Sequence, residues 1–210
     1  MTSWAPGMPV RLVTRRFVLR SLTRQDVGER YAGWLRDPEV LAMLNNRNLR
    51  MTDEQLIAYV ERFDNRVNFH LGIEAAETGP LIGFYSVYCD PPNGLAQTNV
   101  MVGDHDYWGK NVVLETRAVL LDFLFDVVGV EKVYGMPLAR NVASVFNYRA
   151  QGFHCEGILR QQRRGPEGER LDQLFFGMLR TEWQEKRTKP RSKALVHQAI
   201  LAFLLRCDGR

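Results

Sequence analysis

The chain has 210 residues, 45% hydrophobic and 25% charged, which supports one domain with a sizeable core and leaves little room for a second. Its net charge of +4 is local: Thr181 to Arg210 hold seven Lys or Arg against three Asp or Glu, so the remaining body is formally neutral and carries no nucleic-acid signature. Cys89, Cys155 and Cys207 are scattered and the histidines at 70, 105, 154 and 197 keep no ligand spacing, which excludes a disulfide framework or a metal site from the expected features.

In chain order, Met1 to Pro9 lacks the apolar core of a signal peptide, and no run reaches membrane-spanning length, so a cytoplasmic protein is expected. Arg16 to Ser21 alternates apolar and charged residues as a half-buried strand does. Thr23 is placed to cap a helix reaching about Leu35, and Asp37-Pro38 opens a second, short one. Thr52 with Gln55 forms a capping box ahead of Leu56, Ile57, Tyr59 and Val60 at helical spacing. Val67 to Ala75 and Leu81 to Cys89 read as strands, and the Asp90-Pro91-Pro92-Asn93-Gly94 turn sends Leu95 to Val102 back antiparallel.

Apolar residues recurring every three or four positions predict a helix over Val112 to Val127. Glu131 to Pro137 is a strand, Asn141 to Ala150 a helix, and Phe153 to Leu159 with Leu171 to Leu179 a closing pair of strands, with a loop from Arg163 to Gly168 between them. The order implies an α/β (α+β) domain, a mixed and mostly antiparallel sheet of six to seven strands with helices on both faces. The domain is expected over 1–183, followed by a basic linker and an apolar helix over 184–210. In that tail Ala194 to Leu205 holds ten apolar residues of twelve. Twelve residues rise ~18 Å as a helix, too short for a hydrocarbon core of ~30 Å, so docking on the body or on a second subunit, as in a homodimer, is expected.

The chemistry begins at Asp106-Tyr107-Trp108-Gly109-Lys110-Asn111, where a strand feeds a helix through a tight turn. Such a turn aims unpaired backbone N–H groups outward at the positive end of the helix dipole, an arrangement that binds phosphate. At a fixed distance follow Asn141-Val142-Ala143-Ser144, Tyr148 and Gly152-Phe153. This ordered series, with RFVLRSLTRQD, DPEV, LIGFYSV and YWGK before it, resembles the GNAT N-acetyltransferases, specifically their RimJ/RimL-like branch, over about Val10 to Trp183.

The resemblance implies the GNAT sheet, splayed between its fourth and fifth strands, and acetyl-CoA as acyl donor. The backbone of Val100, Met101 and Val102 would pair with the pantetheine arm. The turn formed by Trp108, Gly109, Lys110, Asn111, Val112, Val113 and Leu114 would hold the pyrophosphate, and Asn141 and Ser144 would reach the cofactor from the next helix. Tyr148 would protonate the leaving thiolate; a phenol near pKa ~10 is a sensible acid for a thiolate whose conjugate acid lies near ~8.5. The alternative for Tyr148 is a core residue with a satisfied hydroxyl.

The implied reaction is direct transfer of the acetyl group to a primary amine, whether a small amine, an amino sugar or a peptide N-terminus. The family's turn reads Gln/Arg-x-x-Gly-x-Gly/Ala, and here Asn111 and Val113 replace the small residues. Asn tolerates positive φ, whereas a branched Val113 near the phosphates would crowd them unless its side chain points away. That departure motivates a second reading, a non-catalytic CoA-binding or regulatory module, and the basic tail motivates a third, a ribosome- or RNA-associated protein. Glu74, Asp104 and Glu115 are candidate bases, and Trp34, Tyr85 and Tyr88 candidate walls of an acceptor groove.

Overall fold

The computed structural model describes residues 4–44, 51–75 and 79–188. Strands β1 (Arg11–Val13) and β2 (Phe17–Ser21) lead into helices α1 (Glu29–Trp34), α2 (Pro38–Ala42) and α3 (Asp53–Glu61). Then come β3 (Asn68–Ala75), β4 (Leu81–Asp90), β5 (Leu95–Val102), α4 (Val112–Asp122) and β6 (Lys132–Gly135). The described chain closes with α5 (Val142–Gln151), β7 (His154–Arg164), β8 (Arg170–Leu179) and α6 (Arg180–Thr188).

The local signals act as physical chemistry requires. Asp37 Oδ1 accepts from the Glu39 and Val40 amides at the start of α2, whose first residue is Pro38. Thr52 and Gln55 close the capping box on α3. The strands form one sheet of eight in the order β1-β2-β3-β4-β5-β6-β8-β7. Every neighbouring pair runs antiparallel except β5 and β6, which are parallel.

Alternation along the strands divides the sheet's faces. On one face Tyr31, Trp34, Val40 and Leu56 of α1–α3 pack with Phe84 and Met101. On the other, Tyr85 and Val87 meet Leu120 of α4, Val145 of α5 and Phe176 of β8. Each such fully buried side chain contributes about 1.5–3 kcal/mol over its exposed state, so the two clusters hold the helices to the sheet from both sides.

The functionally important irregularity is where β5 and β6 part. They pair from Leu95↔Lys132 to Gln97↔Tyr134 and no further, although β5 continues to Val102. After Gly135 the chain crosses to β8 instead: the Leu174 amide donates to Pro137 O at 3.0 Å and Leu138 bridges Gln173. The second half of β5 is therefore left without a partner on that side.

Several boundaries differ from expectation. The sheet has one strand more than the expected seven because Arg11–Val13 pairs with β2, so the splay between the expected fourth and fifth strands lies between β5 and β6. The first helix is interrupted at Val27 and Gly28, the latter capping α1 in an extended conformation. Arg163 and Arg164 belong to β7, paired with Leu171 and Arg170, rather than to the loop. Residues 184–188, expected in the linker, continue α6, where Arg187 donates to Asp122 and Asp126. The apolar segment 194–205 and most of the basic stretch lie outside the described residues.

Candidate functional site

The unpaired half of β5 borders an opening through the sheet. Thr98 O lies on the open side, because the Tyr148 hydroxyl donates to it at 3.4 Å. Met101 O lies on the opposite side, 2.2 Å from where a Cβ on Gly83 of β4 would stand. Successive residues alternate, so the backbone groups of Val100 and Val102 face the gap and those of Met101 are committed to β4. Trp108 Nε1 donates to Val102 O at 2.8 Å, tying the following turn to this edge.

That turn makes a sharp approach to α4. Gly109 has φ 71° with open space around the position of a Cβ, and Asn111, at φ 60°, is one of the few non-glycine residues suited to that conformation. The Asn111 side chain forms no cap on α4, and the first intrahelical bond is from the Glu115 amide to Asn111 O. Among the described residues the amides of Val112, Val113 and Leu114 therefore meet no partner and point out of the helix start. The Val113 side chain, 9% exposed, is tucked into the protein, and Val113 O accepts from the Tyr85 hydroxyl at 3.4 Å. Arg16 braces the turn, donating to Lys110 O and to the Glu115 carboxylate.

Tyr148 comes to the base of the gap from α5. Its residue is 3% exposed and its ring is stacked on Phe176 at 5.2 Å. The hydroxyl occupies space that only a glycine opposite leaves free, since a Cβ on Gly135 would stand 1.9 Å from it. The Arg117 guanidinium lies 4.3 Å over the Tyr148 ring, within cation–π range. Arg117 is 1% exposed, and its Nε and Nη1 have no hydrogen-bond partner. Asn141 caps α5 through the Ser144 amide and donates from Nδ2 to Met43 O at 2.7 Å, so both ends of its amide hold the fold.

Through the gap runs a cavity of about 600 Å³ that opens beneath α1–α3. On the gap side Tyr148, Ser144, Asn141 and Val100 line it; on the far side Tyr31, Tyr59, Ser86 and Tyr88 do. Behind that far wall lies His70, 1% exposed, hydrogen-bonded through Nε2 to the Tyr31 hydroxyl at 3.0 Å and through Nδ1 to Ser86 Oγ at 3.1 Å. Burial pushes its pKa down to about 4. A neutral imidazole has one N–H, so it donates to one of these hydroxyls and accepts from the other. Burial likewise raises the pKa values of Tyr31 and Tyr88, keeping both phenols protonated.

The expected site residues divide accordingly. Tyr148, Asn141, Ser144, Val100 and Met101 line one cavity, while the turn from Trp108 to Leu114 stands outside its lining. Tyr88 lines the cavity, whereas Tyr85 is buried on the opposite face against Thr116 and Trp34 packs in the core. Glu74, Asp104 and Glu115 are each bound to an arginine, Arg20, Arg30 and Arg16 respectively, and none lines the cavity. Partial burial works against Glu115, but hydrogen bonds from Thr14 and Arg16 hold its carboxyl below its ordinary range. Sequence reasoning missed Tyr31, Tyr59, Ser86, Arg62 and Arg163; the period-2 positions 84, 86 and 88 of β4 carried a signal for part of this wall. Among the described residues no group of three or more His, Cys, Asp or Glu is placed to hold a metal ion.

The family described as an acetyltransferase (GNAT) domain matches residues 16–154. "Probable N-acetyltransferase YjcK" of Bacillus subtilis is 28% identical over 111 residues, 51% of this chain and 60% of that protein, so the chain spans less than two thirds of that relative's length. "Uncharacterized N-acetyltransferase p20" of Bacillus licheniformis is 25% identical over 178 residues, covering 82% of this chain and 97% of that one. In fold, the chain is similar to the spermidine N-acetyltransferase of Vibrio cholerae in complex with CoA and spermine, with a TM-score of 0.73 and 18% identity over 80% of this chain and 98% of that one.

Proposed function

The chain belongs to the GNAT acetyltransferase family, and from that membership we propose that it is an enzyme moving an acetyl group from acetyl-CoA to a primary amine. The observation that carries the reading is the gap between β5 and β6, with open backbone on one rim, a tyrosine hydroxyl at its base and a cavity on its far side. The residues present fit the donor. The free amides of Val112–Leu114 suit a pyrophosphate at a helix start, and the gap-facing backbone of Val100 with the Val102 amide, whose carbonyl is taken by Trp108, suits an extended amide-bearing arm. Asn111 keeps the turn and Val113 is turned inward, which favours a donor-binding turn over a degenerate one. Asn141 supports this site by shaping α5, and Ser144 by lining the cavity.

Bound acetyl-CoA would supply an activated thioester carbonyl. The unprotonated amine attacks that carbonyl, an N–C bond forms, the C–S bond breaks, and Tyr148 gives its hydroxyl proton to the sulfur. With no carboxylate lining the cavity among the described residues, the amine's own proton leaves to water. His70, held neutral with a pKa near 4, is too weak a base for an ammonium and instead orients Tyr31 and Ser86. Similarity to a polyamine acetyltransferase supports a small-amine acceptor, while the RimJ/RimL-like motif order supports a peptide N-terminus. The basic composition of the tail suits neither choice in particular.

The test is binding followed by turnover. Acetyl-CoA at about 100 times its Kd should stabilise the fold by ~2.7 kcal/mol, read as a rise in melting temperature, and CoA should be released over an amine panel. Silence with acetyl-CoA and related acyl-CoAs would remove the donor; binding without release across the panel would favour the non-catalytic module.

A further inference from the structure

The charge around the cavity narrows the acceptor, an inference that rests on the acyl-transfer reading. The cavity has an apolar floor, with Leu35, Leu41, Met51, Leu56 and Phe84 among its lining. Its only charged lining residues among those described are arginines, Arg62 at the end of α3 and Arg163 on β7. Neither arginine forms an ion pair with a described carboxylate, and Arg163 Nε donates to the neutral Gln173 amide at 2.9 Å. The remaining polar groups of the wall are hydroxyls and amides, with Tyr59 and Tyr88 joined at 3.0 Å.

An acceptor with several ammonium groups would bring positive charge to two unpaired guanidinium groups and find no carboxylate to offset it. An acceptor that carries one amine on an apolar body fills the floor, and an anionic group on that body meets the arginines, whose planar forks suit a carboxylate. We propose that the acceptor is an apolar primary amine bearing a carboxylate, recognised by Arg62 and Arg163, and that polyamines are disfavoured by the same charge. Both arginines are exposed, and an exposed pair changes affinity by roughly two- to five-fold, so together they set a preference of roughly five- to twenty-fold.

The probe is 4-(aminomethyl)benzoate against its isosteric amide, 4-(aminomethyl)benzamide, with spermidine as the polycation. CoA release is measured with the full chain and acetyl-CoA, and binding of each amine is measured separately by calorimetry in the presence of CoA. The benzoate should exceed the benzamide roughly five- to twenty-fold in kcat/KM, chiefly through KM, with spermidine last. In the Arg62→Gln, Arg163→Gln double variant the benzoate-to-benzamide ratio should fall toward one, and Lys at both positions should restore part of it. Equal use of benzoate and benzamide, failure of the benzoate to bind, or a preference for spermidine overturns the assignment, and in the last case the release of CoA leaves acyl transfer standing. Arginine-dependent binding of the benzoate without CoA release from any amine upholds the ligand class and overturns acyl transfer instead.

Discussion

Among the described residues each face of the sheet buries one basic side chain, and the two are handled in opposite ways. Beneath α1–α3, His70 has both ring nitrogens hydrogen-bonded and sheds its charge. Beneath α4 and α5, Arg117 cannot shed its charge; it leaves Nε and Nη1 without partners and lies against the Tyr148 ring. Burial of a titratable group is resolved by neutralisation where the side chain permits it, and otherwise the charge persists and acts on its neighbours. The face proposed for the acceptor thus presents neutral hydroxyls supported by a neutral imidazole, and the face proposed for the donor presents open amides and a buried cation.

The largest effect should come from Tyr148, the residue proposed to protonate the leaving thiolate. Tyr148→Phe should lower kcat by roughly 10²–10⁴ with little change in affinity for CoA, and an unchanged rate would make the donor face a binding surface only. Gly135→Ala should mimic it, because the added methyl takes the space of the hydroxyl; steady-state kinetics with an accepted amine read both.

His70 makes the acceptor face sensitive to acid. Its pKa is about 4 in the fold against 6.5 unperturbed, so between those values the unfolded chain binds more protons than the folded one. Stability is fully present above pH 6.5 and is lost as pH falls toward 4, by about 3 kcal/mol over the window. Urea midpoints at pH 7.5 and 4.5 should show this loss, and His70→Gln should flatten it. Equal slopes in both proteins would mean that His70 is not held neutral.

Arg117→Met should raise stability by about 1–4 kcal/mol, because replacing a poorly paired buried charge with an apolar side chain of similar length removes a desolvation cost. A fall in melting temperature would show that stacking on Tyr148 outweighs that cost. The smallest effect belongs to the turn. Asn111→Ala should destabilise by about 1–2 kcal/mol through its positive φ, and Asn111→Gly should keep both stability and the affinity for acetyl-CoA. A loss of affinity in the glycine variant would assign the Asn111 side chain, rather than its backbone, to the donor.

How much of the site was legible depended on how far apart its parts lie in the chain. Trp108 to Leu114 is contiguous, and a strand–turn–helix fixes the direction of its amides locally, so the residues themselves pointed to an anion site. Asn111 could be expected at positive φ from its side chain alone. Whether Val113 obstructs the turn could not be read in this way, because its orientation follows from how α4 packs against Tyr85.

The sequence by itself determined the periodicities, the caps, the order of strands and helices and the local turn, since each depends on residues within a few positions of one another. The tertiary structure decided that Arg163, which looked like a loop residue, lines the same cavity as Arg62, and that His70 stands behind Tyr31 and Ser86 while Arg117 stands behind Tyr148. Those placements depend on strand register and on which helices cover which face. A period of two assigns side chains to faces, but only the packed sheet brings residues a hundred positions apart into contact.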